Sequence, residues 1–458
     1  MEPISAAAPA AAQAARVPRA DTAAADERRK IRTVITASSA GTVIEWYDFF
    51  VFGTLATILA THFYPKGNET AAFLNTLATH GAGFAVRPLG AVVFGRIGDM
   101  VGRKYAFLVT LLIMGGATAA IGLLPTYEQA GLLAPVLLVV LRLVQGLAIG
   151  GEYGGAAIYV AEHSPKGKRG YWTSFIQTTA TLGLVLALIV NLSTRTLLGE
   201  TAFADWGWRL PFLLSAVLVV LSYVIRRKMS ESPVFQEMKA AGKVSQMPVR
   251  EAFGTWAGWK RFLVSLFGTT AGQAVVFYTG QFYALFFLQK VLNVPLQTSY
   301  LVIAIALALG TPFILFFGAL SDRIGRKQLL VGGNLLAALC YYPIFRTMAA
   351  AADPVNVPVL VACVFAMMLF VAMTYGPIAA YLVESYPARI RYTAMSLPYH
   401  VGNGWFGGWL PLIAVWATQT TGNRFAGLVY PIAVAAMSAV VGLLLLKDTR
   451  HVEIGDGA

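Results

Sequence analysis

Five ionisable residues stand inside long apolar stretches of this sequence: Glu45, Asp48, Arg87, Arg142 and Glu152. An ionisable side chain inside a membrane costs several kcal/mol, so such residues are functional candidates. Glu45 and Asp48 are three residues apart, which places both on one face of a helix. A carboxyl group there can bind or release a proton as its surroundings change between apolar and charged. The pattern predicts proton coupling by Asp48, Glu152 and Glu45.

Arg87 stands twelve residues before Asp99, an aspartate in the polar connection that follows the same apolar stretch. Twelve helical residues span about 18 Å, which puts Arg87 near the middle of a bilayer. An arginine at that depth is suited to bind a substrate carboxylate. The alternative is a structural ion pair.

The elements that position these residues are apolar helices. The chain has 458 residues, of which 57% are hydrophobic and 12% are charged, against about 25% charged in soluble domains. A spanning helix needs about 20 apolar residues, and twelve segments qualify. They are 33–61, 73–98, 104–124, 133–161, 169–195, 207–226, 260–289, 296–320, 327–350, 355–384, 392–419 and 425–446.

The distribution of Lys and Arg predicts the orientation of these spans. The side that carries both termini has 27 of them, and the opposite side has six. Because positive residues stay on the cytoplasmic side, both termini are predicted to be cytoplasmic. The net charge of +13 then reflects membrane topology, and nucleic acid is not an expected partner.

Polar segments divide the chain into five predicted regions. Residues 1–30 form a disordered cytoplasmic tail without the apolar core of a signal peptide, and residues 31–226 form a six-helix bundle. Residues 227–259 form a cytoplasmic linker, 260–447 a second six-helix bundle, and 448–458 a C-terminal cytoplasmic tail.

Two motifs occur once in each half of the chain. The sequence Gly-x-x-x-Asp-x-x-Gly-Arg-Lys occurs at 95–104 and again at 318–327, an offset of 223 residues. The sequence Glu-x-x-Pro-x-x-x-Arg occurs at 162–169 and again at 384–391, an offset of 222 residues. Two motifs at nearly one offset indicate a duplicated six-helix unit. The predicted fold is therefore an all-α membrane protein with twelve transmembrane helices in two pseudo-symmetric bundles.

The repeated loops resemble the signature loop of the major facilitator superfamily. Further segments resemble its metabolite:proton symporter branch: Glu45-Trp46-Tyr47-Asp48-Phe49, Arg87-Pro88-x-Gly90, Arg142-x-x-Gln145-Gly146, Gly150-Gly151-Glu152-Tyr153, Trp206-Gly207-Trp208-Arg209, Glu231-Ser232-Pro233-Val234-Phe235 and Arg391-Tyr392-Thr393. Members of that branch carry dicarboxylates, tricarboxylates, keto acids, shikimate-like acids or betaines. The resemblance implies a rocker-switch transporter with a central site between the halves, and it adds Arg142 to the proton-coupling residues.

The repeated motifs also predict a cytoplasmic gate. An acidic residue stabilises a helix N-terminus, and the basic residues of each loop can pair with carboxylates on neighbouring helix ends. The predicted gate residues are Gly95, Asp99, Gly102, Arg103, Lys104, Glu162, Arg169, Gly318, Asp322, Arg323, Arg326, Lys327, Glu384 and Arg391.

Polar residues in the spans supply the candidates for substrate binding, which are Arg87, Arg142, Gln145, Tyr153, Gln273, Tyr278, Gln281 and Tyr375. Each of them could instead join two helices by a hydrogen bond. His400, alone in its span, is expected to be a structural residue whose hydrogen bonds are satisfied.

The predicted function is import of an organic acid together with protons by alternating access. The open alternatives are a symporter for a zwitterion or a neutral sugar-like solute, and more remotely a membrane sensor. Walker, zinc-binding and nucleophile-elbow motifs are absent, so no enzyme activity, cofactor or metal is expected. The expected partners are protons, a small-molecule substrate and the lipid bilayer, for a monomer in a bacterial inner membrane.

Overall fold

A computed structural model describes residues 35, 39, 41–101, 103–226, 236, 239–242 and 245–454. The predicted N-terminal tail, Gly102, the 231–235 motif and residues 455–458 lie outside the described residues. The side chain of Arg103 also lies outside them.

The described part of the chain contains twelve helical elements. They are α1 (Gly41–Thr54 with Ala56–Phe63), α2 (Glu69–Met100), α3 (Lys104–Leu123), α4 (Leu133–His163), α5 (Arg169–Leu198), α6 (Glu200–Gly207 with Arg209–Val224), α7 (Trp256–Val291), α8 (Leu296–Ile324), α9 (Arg326–Ala350), α10 (Val357–Ser385), α11 (Arg391–Val401, Gly402–Gly407 and Leu410–Thr421) and α12 (Ala426–Leu445).

Nine of these elements, within the described residues, are long and apolar enough to cross a membrane as single helices. Two more, α1 and α6, reach the necessary length as pairs bent by 60° and 62°. The remaining element, α11, is interrupted at Gly408 and Trp409 and contains several glycine and polar residues. The twelve-helix prediction therefore agrees with the structure, in which α1 and α6 are bent pairs and α11 is broken into segments.

Helix α7 occupies the centre of the bundle. In its most apolar window 83% of the residues are buried, whereas the other eight unbroken spans have 33–61% buried. Three π-helical turns interrupt α7, at Leu266–Thr270, Thr279–Tyr283 and Phe287–Val291. Such turns insert an extra residue into a helix and are frequent at functional sites.

Helices α2 and α4 touch through their backbones at four glycines. A β-carbon on Gly146 would lie 1.7 Å from the carbonyl oxygen of Gly83, and one on Gly150 would lie 2.2 Å from that of Arg87. A β-carbon on Gly90 would lie 2.1 Å from a carbonyl oxygen of α4. Only glycine allows this approach, which fixes Arg87 and Arg142 on adjoining helices.

The two halves meet along two equivalent helix pairs. Helix α5 packs on α8, where a β-carbon on Gly170 would lie 2.4 Å from the carbonyl oxygen of Gly318. Helix α2 packs on α11, where one on Gly95 would lie 3.4 Å from the ring of Tyr392. The repeated motifs thus lie at equivalent corners of one end of the bundle, which we call the motif face.

Candidate functional site

Arg87 lies at the centre of the bundle in a cage of aromatic rings. Its side chain is 0% exposed, and its guanidinium carbon lies 5.3 Å from the ring centre of Trp46, 4.9 Å from that of Phe49 and 4.7 Å from that of Phe84. None of its three guanidinium nitrogens makes a hydrogen bond of normal geometry, although Tyr278 lies close enough to interact with it. Among the described residues no carboxylate forms an ion pair with it. The cage holds the cation and leaves its donors available.

Arg142 lies on the adjoining helix and is also fully buried. One of its terminal nitrogens donates to Gln145 at 2.6 Å, and the other lies 3.0 Å from Nδ1 of His80. Gln145 in turn donates to the hydroxyl of Thr118 on α3 at 2.6 Å. These partners are all neutral or polar, and Arg142 forms no ion pair with a described carboxylate. Its predicted role in proton coupling remains a prediction.

His80 is a central residue that the sequence reasoning missed. Because an arginine donates and never accepts, Nδ1 of His80 accepts from Arg142 and the ring proton lies on Nε2. That Nε2 has no hydrogen-bond partner. His80 stands seven residues before Arg87, which is two helical turns, so its presence on the same face of α2 was readable from the sequence.

Arg87 and Arg142 lie within electrostatic range of each other. Two buried like charges repel, and the low dielectric of the interior strengthens this repulsion. Burial without a partner charge is also unfavourable for each of them. The centre of the bundle therefore favours the binding of an anion.

The C-terminal half supplies a polar aromatic wall opposite Arg87. The ring of Tyr278 meets that of Phe84 edge-on at 5.2 Å. Gln273 accepts from Asn403 at 3.2 Å through its oxygen, and its nitrogen has no partner. Both polar atoms of the buried Gln281 lack a partner as well. Three of the predicted substrate-binding residues thus lie on α7 in the buried centre.

Two tyrosines join the halves beside this wall. The ring of Tyr153 on α4 stacks on that of Tyr399 on α11, with centres 3.5 Å apart and planes 6° apart. The hydroxyl of Tyr399 lies 3.1 Å from that of Tyr375 on α10, and the hydroxyl of Tyr153 has no partner. The structure therefore brings Tyr153 and Tyr375 together with the wall formed by α7.

Asp48 is fully buried, but its side chain faces α3 and α6. A β-carbon on Gly115 of α3 would lie 3.3 Å from its carboxyl oxygen. Ser215 of α6 lies nearby, yet neither carboxyl oxygen has a hydrogen-bond partner. Asp48 thus occupies a pocket inside the N-terminal half and is not paired with either central arginine.

The other two predicted coupling carboxylates are buried and engaged. Glu45 is 1% exposed and Glu152 is 4% exposed, and each takes part in an interaction with another group. Glu152 lies where α4 is interrupted, between Leu133–Gly150 and Tyr153–His163. At this break the backbone N–H groups of Gly151 and Glu152 bond to carbonyl groups three residues earlier in the chain.

At the motif face, Asp322 of one half caps a helix of the other half. Its carboxylate accepts from the backbone N–H groups of Gly170 and Tyr171, both at 2.9 Å. These groups belong to the N-terminal turn of α5. A carboxylate at a helix N-terminus is stabilised by the unpaired N–H groups and by the helix dipole. Asp322 therefore joins the two halves.

Glu384 is the centre of an ion-pair network at the same corner. Arg326 approaches both of its oxygens, at 3.1 and 3.3 Å, and also contacts Asp322 at 2.8 Å. Arg169 of the other half lies 3.6 Å from Glu384. All of these side chains are almost fully buried.

The second corner repeats this arrangement. Asp99 accepts from the hydroxyl of Thr393 in the first turn of α11, at 2.9 Å. Arg391 lies 3.5 Å from Glu162 of the other half. Each motif aspartate thus meets the first turn of the equivalent helix, α5 or α11, in the opposite half.

The remaining predicted gate residues lie in the two repeated loops. The half-buried Lys327 donates to the carbonyl of Leu443 at 2.7 Å, and the side chain of Arg323 is exposed. Lys104 is engaged with another group. Gly102 and the side chain of Arg103 lie outside the described residues.

Residues 447–454 form a strap across the motif face. Asp448 accepts from the backbone N–H of Arg326 at 3.0 Å, and Thr449 donates to Glu384 at 2.7 Å. Beyond them, the carbonyl of Val452 accepts from Arg169 of the N-terminal half at 2.5 Å. The segment predicted only as a tail therefore bonds to both halves.

The opposite end of the bundle also has contacts between the halves. The hydroxyl of Tyr300 on α8 donates to the carbonyl of Thr54 on α1, and Phe73 meets Phe286 edge-on at 5.6 Å. A cavity of about 360 Å³ lies outside these contacts and includes Lys290 in its lining. Among the described residues, contacts between the halves therefore enclose the centre at both ends.

Comparison with known proteins gives relatives along nearly the whole chain. An inner membrane metabolite transport protein of Escherichia coli (strain K12) is 36% identical over 91% of this chain and 94% of its own length. A glycine betaine/proline/ectoine/pipecolic acid transporter of Dickeya dadantii is 33% identical, over 92% and 84%. A citrate-proton symporter of Salmonella typhi is 33% identical, over 84% and 87%.

Among solved structures, a proton:xylose symporter of the major facilitator superfamily aligns with a TM-score of 0.71 at 18% identity. The alignment covers 93% of this chain and 97% of that one, which confirms the fold. The family model described as sugar (and other) transporter matches residues 33–454. The chain therefore belongs to the sugar (and other) transporter family of the major facilitator superfamily.

Proposed function

We propose that this transporter imports an organic anion, a di- or tricarboxylate or a keto acid, together with protons. The buried, unpaired guanidinium of Arg87 carries the proposal. It offers donors in a fixed fork that matches a carboxylate, in a site from which water is largely excluded. A substrate carboxylate would supply the charge and the acceptors that the chain itself does not place there.

Asp48 is the proposed proton-binding residue. An ionised carboxylate in its pocket would have neither an ion pair nor a hydrogen bond, which is costly in an apolar interior. When another conformation admits water to the pocket, hydration stabilises the ionised carboxylate of Asp48. Helix α1 carries Asp48 on one side and, on another, the rings of Trp46 and Phe49 that contact Arg87. We therefore propose that movement of α1 couples proton binding at Asp48 to anion binding at Arg87.

The motif face is proposed as the gate and is assigned to the cytoplasmic side, in line with the distribution of Lys and Arg. Its bonds between the halves would break when the transporter opens inward. The bonds of Tyr300 and Phe73 at the opposite end would break when it opens outward. Alternating access then requires the two sets to exchange around the central arginines.

A zwitterion such as glycine betaine is the second candidate substrate, since one relative is named as a transporter of glycine betaine. Quaternary ammonium groups bind in aromatic cages, and the centre of the bundle contains such a cage. In this chain, however, the cage of Trp46, Phe49 and Phe84 is occupied by Arg87. This observation favours the anion.

The test is uptake of radiolabelled citrate and glycine betaine into proteoliposomes with a defined proton gradient. We expect citrate to accumulate with an inward proton gradient and to equilibrate without accumulation when a protonophore collapses it. Accumulation driven by a sodium gradient alone would contradict proton coupling. Accumulation of glycine betaine, with no thermal stabilisation by citrate or other carboxylates, would contradict the anion assignment.

A further inference from the structure

His400 lies on the face of α11 that meets the N-terminal half. Four residues at intervals of four share this face: Tyr392, Ser396, His400 and Gly404. The hydroxyl of Tyr392 donates to a backbone carbonyl of α4, and Ser396 packs against a glycine of α4. A β-carbon on Gly404 would lie 2.5 Å from a carbonyl oxygen of α2. His400, between them, therefore faces α4 and α2.

The surroundings of His400 hold its ring and leave its nitrogens without partners. The residue is 0% exposed, and its ring meets Tyr399 edge-on at 5.2 Å and Tyr153 at 6.4 Å. Neither ring nitrogen has a hydrogen-bond partner. Buried polar groups in proteins are usually bonded, so the expectation of a satisfied structural histidine does not hold.

Arg87 is the charged neighbour of His400. The carbonyl next to Gly404 belongs to Phe84, whose ring forms one wall of the Arg87 cage. His400 also lies within electrostatic range of Arg87. Thus an imidazole from one half and a guanidinium from the other lie near each other in the buried centre, and both have unused donors. A neutral imidazole has one N–H, and a guanidinium has only donors.

We propose that His400 binds the transported anion, sharing one substrate carboxylate with Arg87. The proposal rests on the proposed function and adds to it a specificity-determining residue from the C-terminal half. A carboxylate has two oxygens, so one can accept from Arg87 and the other from His400. A single group of the substrate would then bond to both halves, which ties occupancy of the site to closure around it.

The shared carboxylate also explains how the site would select among solutes. The N–H of His400 favours a group that accepts a hydrogen bond, and a quaternary ammonium group has no acceptor atom. Discrimination against a ligand that leaves a buried polar group unpaired is strong. His400 would therefore raise the preference for solutes with a carboxylate over trimethylammonium compounds that lack one, such as choline.

The experiment is calorimetric titration of purified protein with citrate, for wild type, His400→Gln, His400→Phe and the matched control His62→Gln. His62 bonds to a backbone carbonyl of α6 away from the centre. Glutamine keeps an N–H donor, and phenylalanine keeps the ring contacts but has no donor. We expect His400→Phe to weaken citrate binding by about tenfold or more, and His400→Gln by less than about threefold. The control should bind as wild type does.

The double variant Arg87→Met/His400→Phe tests the shared carboxylate. If both residues hold one group, the loss in the double variant is smaller than the product of the two single losses. Wild-type affinity in His400→Phe would overturn the inference while leaving the proposed function intact. Equal losses in His400→Phe and His400→Gln, with lowered melting temperatures, would assign a structural role. Absence of carboxylate binding by the wild type would overturn both proposals.

Discussion

The motif face and the centre of the bundle differ in whether their buried arginines are paired with carboxylates. At the motif face Arg326 contacts two carboxylates, and Arg169 and Arg391 each contact one in the opposite half. In the centre Arg87 forms no ion pair with a described carboxylate, and its guanidinium nitrogens make no hydrogen bond of normal geometry. Paired charges hold the two halves together at the motif face, whereas the unpaired charge in the centre is the one proposed to bind substrate. Under this proposal the same residue type contributes to stability at one level of the membrane and to recognition at another.

The largest expected effect is on the stability of the motif face. Arg326→Met leaves Glu384 and Asp322 buried without their main partner, which costs about 3–5 kcal/mol. We expect a clear drop in melting temperature, measured by thermal unfolding in detergent. Arg323→Met, at an exposed neighbouring arginine, is the control and should melt as wild type does. Equal melting of both variants would remove the contrast between the two regions.

Arg87→Met should have the opposite signature. Loss of a charge-assisted bond to a carboxylate costs about 1.5–3 kcal/mol, or roughly 10- to 150-fold in citrate affinity. Unfolding should not become easier, because an apolar side chain of similar length replaces a buried unpaired charge. Calorimetry and thermal unfolding check the two halves of this prediction. A variant that binds normally but unfolds early would make Arg87 a structural residue.

Asp48→Asn should separate binding from accumulation. The amide resembles the protonated acid but cannot release a proton, so citrate affinity should stay within about threefold while uphill uptake disappears. The measurement is calorimetry beside gradient-driven uptake in proteoliposomes. Undiminished accumulation would show that another group carries the proton.

Asp322→Asn should slow transport and cost about 0.5–2 kcal/mol of stability, because it weakens the cap on α5. Asp99→Asn should have a smaller effect, because the bond of Asp99 to Thr393 is to a side-chain hydroxyl, whereas Asp322 accepts from backbone N–H groups at a helix N-terminus. Initial uptake rates at matched expression check this order. Wild-type rates in both variants would contradict the gate assignment.

The smallest effect is expected at the outer end of the strap. Lys166 and Glu453 form an ion pair at 2.7 Å, but both side chains are at least 75% exposed. Exposed pairs contribute little, so Lys166→Gln should leave melting temperature and uptake unchanged. Arg169→Gln, which removes both the buried ion pair with Glu384 and the bond to Val452, should slow uptake. Similar behaviour of the two variants would mean that burial does not govern this face.

The sequence was sufficient for the architecture, because length and hydropathy define spanning helices without any knowledge of their neighbours. It was not sufficient for the interruptions in α1, α6, α7 and α11. A π-turn depends on which backbone groups find partners in the packed bundle, and α7 reads as an ordinary apolar segment. The docking of residues 447–454 was hidden for the same reason, since several of its bonds use backbone carbonyls.

The central position of Arg87 was predictable, because it depends only on the depth of the residue in the membrane. Positions that depend on the rotation of a helix about its own axis were harder to predict. Asp48 and Glu45 share a helix face by spacing, but only the packed structure shows that Asp48 faces α3 and α6. His80 could have been found from its spacing to Arg87. His400 was judged by its isolation in the sequence, whereas its neighbours come from helices far away along the chain.

The glycine contacts between α2 and α4 have a consequence for how this transporter can diversify. The separation of Arg87 and Arg142 depends on Gly83, Gly90, Gly146 and Gly150, positions without side chains. A single added methyl group at one of them would push the helices apart and move both guanidinium groups without altering any residue that a solute touches. Selectivity can thus drift through substitutions outside the binding surface, and a survey of contact residues alone would overlook them.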